Sequence, residues 1–320
     1  MSQIILSDLI KQFPDCDFKG DKSLLLKKVV SLKDSLGLKF SDSISWLSDR
    51  VGEAIEPNQL HLGLLVLTRT MYDKFSKADC NFLISENPRA TFTKILSLYF
   101  KKTWPAKIEP SAIINPSSKI GSNCYIGHHV IVDENCTIGK NTVVLHNTTI
   151  LANTVIGDNC VIGCNNTIGN YGFGYEKDNA GEYQLLEHLG KVIIHDNVEI
   201  HNNTCIDRGV LGDTEIHDHV KIDNLVHIAH GVVIERNALV IANAMIGGSA
   251  HLGKNTWIAP SVSVKNQIKI ADDTFTGMGA VILKNTEEKS LMIGNPATSM
   301  DEYKKWSEIK KNLTKDNDKQ

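Results

Sequence analysis

No excess of positive charge marks this chain of 320 residues: 34 Lys and Arg stand against 37 Asp and Glu, a net charge of -3 at pH 7. With a pI near 6.5, wholesale binding to a phosphate backbone is excluded as a first reading, and nucleic acid is not an expected partner. Met1-Ser2-Gln3-Ile4-Ile5-Leu6-Ser7-Asp8 has neither the basic start nor the long apolar core of a secretory leader, and no window offers the ~20 apolar residues of a membrane span. The expectation is a cytoplasmic protein without a membrane span. The seven cysteines are odd in number and contain no C-x-x-C pair, which argues against a disulfide framework or a zinc ribbon.

What the chain does have is an aliphatic residue at every sixth position. The run Ile108, Ile114, Ile120, Ile126, Val132, Ile138, Val144, Ile150, Ile156, Ile162, Ile168 is unbroken. It resumes at Ile194, Ile200, Ile206 and, after a slip of four residues, at Ile216, from where it continues to Ile282 with Thr276 in one slot. An amphipathic helix repeats at 3.6 and a strand at 2, so neither sustains period six. A hexapeptide β-helix does. Small or β-branched residues lie two positions before each aliphatic, among them Cys124, Cys136 and Cys160. Alternation along a short strand therefore turns both inward, which makes these cysteines core residues and not metal ligands. Glycine often follows the aliphatic and asparagine is frequent nearby, both read as turn formers. Three hexads close a coil of about eighteen residues, and stacked coils bury what one coil alone leaves exposed.

Residues 1–105 lack this rhythm. Ser7 to Phe13 reads as a short helix capped by Ser or Asp, and Ala90 to Phe100 as a longer helix. Lys27 to Leu32, Leu62 to Leu67 and Asn81 to Ile84 read as strands, which together make a small α/β domain. The expected organisation is thus mainly β: 1–105 an α/β nucleotide-binding domain, 106–298 the parallel β-helix, and 299–320 a charged helical extension. Within the helix, 170–192 breaks the period with a stretch rich in glycine and aromatics, Tyr171 to Tyr183. Long loops on repeat scaffolds are often binding elements, so Phe173 and Tyr175 are expected to touch substrate. A smaller bulge falls at Leu211 to Thr214.

His230, in Ile228-Ala229-His230, lies on the turn side of its strand, where a histidine is ordinarily a surface or packing residue but is also what amide-forming acyl transfer needs, a base titrating near neutral pH. The wider text sharpens this. Gly172-Phe173-Gly174-Tyr175, Gly190-Lys191-Val192-Ile193-Ile194, Val198-Glu199-Ile200, Ile206-Asp207-Arg208-Gly209, Lys221-Ile222-Asp223-Asn224 and Ile228-Ala229-His230 resemble the UDP-3-O-acylglucosamine N-acyltransferases of lipid A biosynthesis. The resemblance covers nearly the whole chain.

It implies a left-handed helix, a homotrimer with sites between subunits, and transfer of a 3-hydroxyacyl chain from acyl carrier protein to the 2-amino group of a UDP-linked sugar. It makes His230 the general base and Gly248 the oxyanion donor, one coil away. Asp223 and Asn224, one hexad before His230, are implied to orient base or substrate, and for Asn224 a plain turn role is equally open. Trp46 matches the ring that stacks on uracil, while Asp49 stands for an asparagine of that pocket, Gly52 for its tyrosine, and Gln267 for a second histidine; His227 lines the helix wall. No metal and no cofactor beyond the acyl donor is implied. An acetyl-CoA-dependent N-acetyltransferase of a nucleotide-linked amino sugar is the alternative. A third reading is a scaffold, or a zinc site needing three convergent histidines. Its candidates, His195, His201 and His217, are outward turn residues of different coils.

Overall fold

The computed structural model describes residues 3–317; residues 318–320 of the expected helical extension lie outside them. The chain divides after Thr103 into two compact units.

The first unit is built on a five-stranded sheet in the order Asp17–Lys19, Asp79–Ile84, His61–Leu67, Lys39–Trp46, Lys28–Val29. All neighbours run parallel except the Asp17–Lys19 edge. His61–Leu67 is the central strand, buried on both faces, which is why Leu62 to Leu67 reads as an unbroken apolar run. Leu6, Leu9, Phe92 and Ile95 cover one face against Ile44, Leu64 and Val66. Met71 and Phe75 cover the other against Leu65, Leu67 and Phe82. Two expectations change. The first helix is Leu6–Lys11, and its N-cap is Ile5 with no side-chain bond, so neither Ser7 nor Asp8 caps it. Ser31, expected in a strand, instead caps a short helix, Leu32–Ser35.

The second unit is a three-sided parallel β-helix. Each face is a ladder of two- to four-residue strands repeating at one coil: Ile228 pairs with Ile246 and Ile246 with Val264. We call the faces A, B and C by the strands Lys221–Ile222, His227–Ile228 and Val233–Ile234, which follow one another around a single coil. The repeat aliphatics and the small residues two positions before them form one continuous core, with Ile222, Val226, Ile228, Val232 and Ile234 all 0–1 % exposed. Cys136 and Cys160 take such inward slots and donate to backbone carbonyls; burial pushes the Cys160 thiol up to about 11.

The corners divide their chemistry differently from the expectation. The residue three past most of the aliphatics adopts φ near +60° and is most often asparagine, as at Asn141, Asn159 and Asn243, the type that tolerates this region best after glycine. Most glycines directly after the aliphatics do not take the left-handed conformation: Gly121, Gly139 and Gly157 are absent from the positive-φ residues, whereas Gly169, where the insert leaves, has φ 92°. At these three the next coil passes close by. A Cβ on Gly139 would stand 2.5 Å from the Gly157 backbone of the next coil, and one on Gly121 2.6 Å from Lys140 N. Side chains at the middle of each corner add a second ladder: Asp158 accepts from Lys140 N, Asp196 from Asp158 N, and Asp218 from Asp196 N.

The period breaks at one edge only until the repeat ends. The insert leaves face B after Thr167–Asn170 and returns on face C at Val192–Ile194, and the bulge after Cys205–Asp207 leads to Thr214–Ile216 across the same edge. Within the insert, Tyr175–Lys177 and Tyr183–Leu185 form an antiparallel hairpin. Leu291–Gly294 and Ala297–Ser299 close face A, and the helix Met300–Asn317 follows. Among the described residues no helix is long and apolar enough to cross a membrane.

Candidate active site

Because eighteen residues return the chain to the same edge, the edge between faces B and C stacks the insert, the bulge, His230, Gly248 and Gln267 on successive coils. Ser249 N donates to His230 O and Gln267 N to Gly248 O, each at 2.8 Å. The imidazole of His230 lies against Gly248: a Cβ there would meet its Nε2 at 2.6 Å and its Cε1 at 2.9 Å. Only glycine lets the ring sit this close. Gly247 N and Ser249 N are spent on Val264 O and His230 O, whereas the Gly248 N–H donates to no acceptor among the described residues. An unspent amide and a ring nitrogen thus share one small patch, the geometry that acyl chemistry requires of an oxyanion donor and a base.

The other side of the His230 ring faces the insert. Its Nδ1 is buried without a hydrogen-bond partner, and so is Nε2 of His188. The two rings meet edge to face, centroids 5.4 Å apart, above Gly172, where a Cβ would stand 2.7 Å from His230 Nδ1 and 3.0 Å from His188 Nε2. His188 is 1 % exposed and Tyr171 packs edge-on against it. Burial lowers the pKa of His230, helped by the neighbouring His188 and His227. The imidazole is therefore neutral, and able to accept a proton, further into the acid range than a free imidazole.

Arg208 fixes the root of the insert, its Nε donating to Gly169 O at 2.6 Å and its Nη2 to Ala152 O at 2.8 Å. Asp207, beside it, is 8 % exposed, and burial pushes its carboxyl up to about 7. His227 Nε2 is 3.5 Å from this carboxyl, and burial lowers the His227 pKa. Desolvation dominates on both partners, so near pH 7 the contact is closer to a neutral pair than to an ion pair. His188 and Asp207 were not among the residues the sequence singled out. Asp207 stood in a quoted motif; His188 sits where the insert destroys the count of eighteen.

The remaining candidates fall elsewhere. Asp223 and Asn224 sit at the edge between faces A and B. Asn224 Oδ1 accepts from Asn202 N at 3.0 Å in the corner ladder, and Asp223 binds Asn224 N and Ala242 N, with His201 Nδ1 at 3.5 Å. Their bonds are structural ones, and none reaches His230. Phe173, Tyr175 and Tyr183 line an apolar cavity of about 560 Å³ on the insert, with Phe173 88 % exposed. Gln267 is exposed with φ 61°. In the first unit, Trp46 lines a cavity of about 460 Å³ with Val29, Lys33 and Phe92. Asp49 does not join it: its Oδ1 accepts from Thr68 Oγ1 at 2.8 Å, and it lines a separate, polar cavity with Asp17 and Arg69. Gly52 is packed on Met71 and Leu47 and has no room for a ring. Of the three histidines named for a metal, His201 stands apart with Asp223, while His195 and His217 stack at 4.7 Å beside Glu215.

The comparisons agree with this architecture. Residues 105–173 match the model for the GMPPB C-terminal domain. The UDP-N-acetylglucosamine O-acyltransferase of Moraxella catarrhalis superposes with a TM-score of 0.56 at 28% identity, over 60% of this chain and 73% of that one. The UDP-N-acetylglucosamine acyltransferase of Bacteroides fragilis does so with a TM-score of 0.56 at 25% identity and the same coverage. The fold is the left-handed parallel β-helix of these hexapeptide-repeat acyltransferases.

In sequence the chain resembles the UDP-3-O-acylglucosamine N-acyltransferases. That of Wolinella succinogenes is 29% identical over 147 residues, 46% of this chain and 45% of the relative. The second such enzyme of Legionella pneumophila strain Paris is 35% identical over 138 residues, 43% of this chain and 40% of the relative. The chain spans less than half the length of the curated relatives it matches.

Proposed function

We propose that the chain is an N-acyltransferase of lipid A biosynthesis, moving a 3-hydroxyacyl group from acyl carrier protein to the 2-amino group of a UDP-3-O-acylglucosamine. The observation that carries this is the pairing of the His230 ring with the unspent Gly248 amide, one coil apart on the insert edge. His230 Nε2 takes a proton from the amine as its nitrogen attacks the thioester carbonyl. The Gly248 N–H holds the oxyanion of the tetrahedral adduct. The adduct collapses, the C–S bond breaks, and the departing thiolate takes the proton from His230. The amide product and the carrier thiol balance the reaction with no metal and no covalent enzyme intermediate.

The insert supports a long acyl chain over acetyl. Phe173, Tyr175 and Tyr183 offer an apolar cavity far larger than an acetyl group fills. Exposed Leu189, Leu211 and Met245 near the same edge fit a site completed by a second copy, as in a homotrimer. In the first unit the Trp46 cavity suits a stacked uracil. Asp49, held by Thr68, leaves that recognition to other groups. Thioester release measured with a 3-hydroxyacyl carrier protein and with acetyl-CoA, on one UDP-amino sugar acceptor, tests the reading. Turnover with the carrier protein alone is expected. Turnover with acetyl-CoA alone overturns it in favour of an N-acetyltransferase.

A further inference from the structure

We propose that His188 is a positioning residue that fixes the tautomer of His230. The inference rests on the proposed reaction but is read without it. His188 Nδ1 lies 2.6 Å from Leu186 O. A carbonyl only accepts, so Nδ1 carries the proton and Nε2 is a bare acceptor. That acceptor is buried and unpartnered, and across Gly172 from it lies His230 Nδ1, likewise buried and unpartnered. With both nitrogens bare, two buried acceptors on either side of Gly172 stay unsatisfied, which buried polar groups avoid. A proton on His230 Nδ1 satisfies both with a small ring rotation and leaves Nε2, the nitrogen against Gly248, bare for the amine. Free imidazole side chains favour the opposite tautomer, so the insert supplies the preference the base requires. Gly172 belongs to the same device, since a side chain there would wedge the rings apart.

The test is nitrogen NMR of histidine-labelled protein at pH 8 without substrate, with the His230 signals assigned by their loss in His230→Gln. The wild type is expected to show His230 protonated at Nδ1. His188→Leu shifts it toward the Nε2-protonated form, and His188→Gln, whose side-chain oxygen still accepts, restores it. Transfer rates follow the tautomer, falling at least tenfold in kcat for His188→Leu with little change in KM. An Nε2-protonated His230 in the wild type, or a tautomer indifferent to His188→Leu, overturns the proposal. Because the signals are read without substrate, that failure is separate from failure of the transfer reaction itself.

A separate observation concerns the edge between faces C and A. His195 and His217 occupy, on successive coils, the position after the aliphatic where glycine stands elsewhere, and their rings are 7° from parallel. Glu215 Oε2 lies 3.6 Å from His217 Nε2, and one ligand atom from each of the three residues lies within 4.8 Å of the others. His195 Nε2 is buried without a partner among the described residues. The structure assigns these three as a site for a borderline divalent ion such as Zn²⁺ or Ni²⁺. Two imidazoles and a carboxylate are ligands of the right class, and ring rotation closes them to the ~2.0–2.2 Å bonds such ions take. Calorimetric titration of Zn²⁺ and of Ni²⁺ into protein without a histidine tag is expected to give one ion per chain. His195→Ala and His217→Gln weaken binding at least tenfold, while His146→Ala, at another edge, does not. No stoichiometric binding, or binding unchanged in both variants, overturns the assignment.

Discussion

That His230 and Gly248 stand side by side was legible because the distance between them is one coil. Eighteen residues bring a hexapeptide helix back to the same edge; six move it one face on. Asp223 and Asn224, a hexad before His230, are for that reason at a different edge, where Asn224 serves the corner ladder. His188 was illegible because the insert that carries it has no period. At this scale two outcomes are expected. Since burial and two neighbouring histidines lower the His230 pKa, the acid limb of the kcat/KM profile should have its midpoint below the 6.5 of an ordinary histidine. A midpoint at or above 6.5 contradicts that environment. Gly248→Ala puts a methyl against the His230 ring and should cost about 10²-fold in kcat/KM, the scale set by ~1 Å misplacement of a catalytic group, with the melting temperature little changed.

The elements divide by how much of their shape comes from period and how much from contact. The coil strands were readable from the repeat, and so was the inward placing of the cysteines. Corner glycines such as Gly121, Gly139 and Gly157 were read as turn residues, and of the glycines after an aliphatic Gly169 does take a positive φ; a sequence shows where glycine falls and not how near the next coil passes. In the first unit, Trp46 ends a strand and Asp49 opens the next helix, so three residues of separation put them in different cavities. Two stability measurements separate the corner roles. Gly139→Ala, forced into the Gly157 backbone, should destabilise by about 1–3 kcal/mol in denaturant unfolding. Leu225 holds φ at 60° where asparagine is usual, and is 59 % exposed. Leu225→Asn should therefore stabilise by about 1 kcal/mol; a loss of stability would show that Leu225 has packing the corner geometry does not reveal.

For the molecule as a whole, Asp207 ties stability to pH. Its pKa rises from 3.8 to about 7 on folding, so between those values the folded protein holds a proton that the unfolded chain has lost. Stability falls as pH rises through this window, and the penalty is complete above it. Asp207→Asn removes the penalty, and its gain in melting temperature over the wild type should be larger at pH 8 than at pH 4.5. An equal gain at both would mean that the carboxyl is ionised in the fold. The proposed transfer turns on one step, proton removal by His230 in a site built on the β-helix. The direct measurement is the rate of acyl transfer from a 3-hydroxyacyl carrier protein to a UDP-3-O-acylglucosamine by the wild type and by His230→Ala, each with its mass in solution determined. The account predicts that both have three times the 35.4 kDa chain mass and that the variant has lost transfer by at least 10²-fold. Near-wild-type transfer by an intact His230→Ala protein would contradict it.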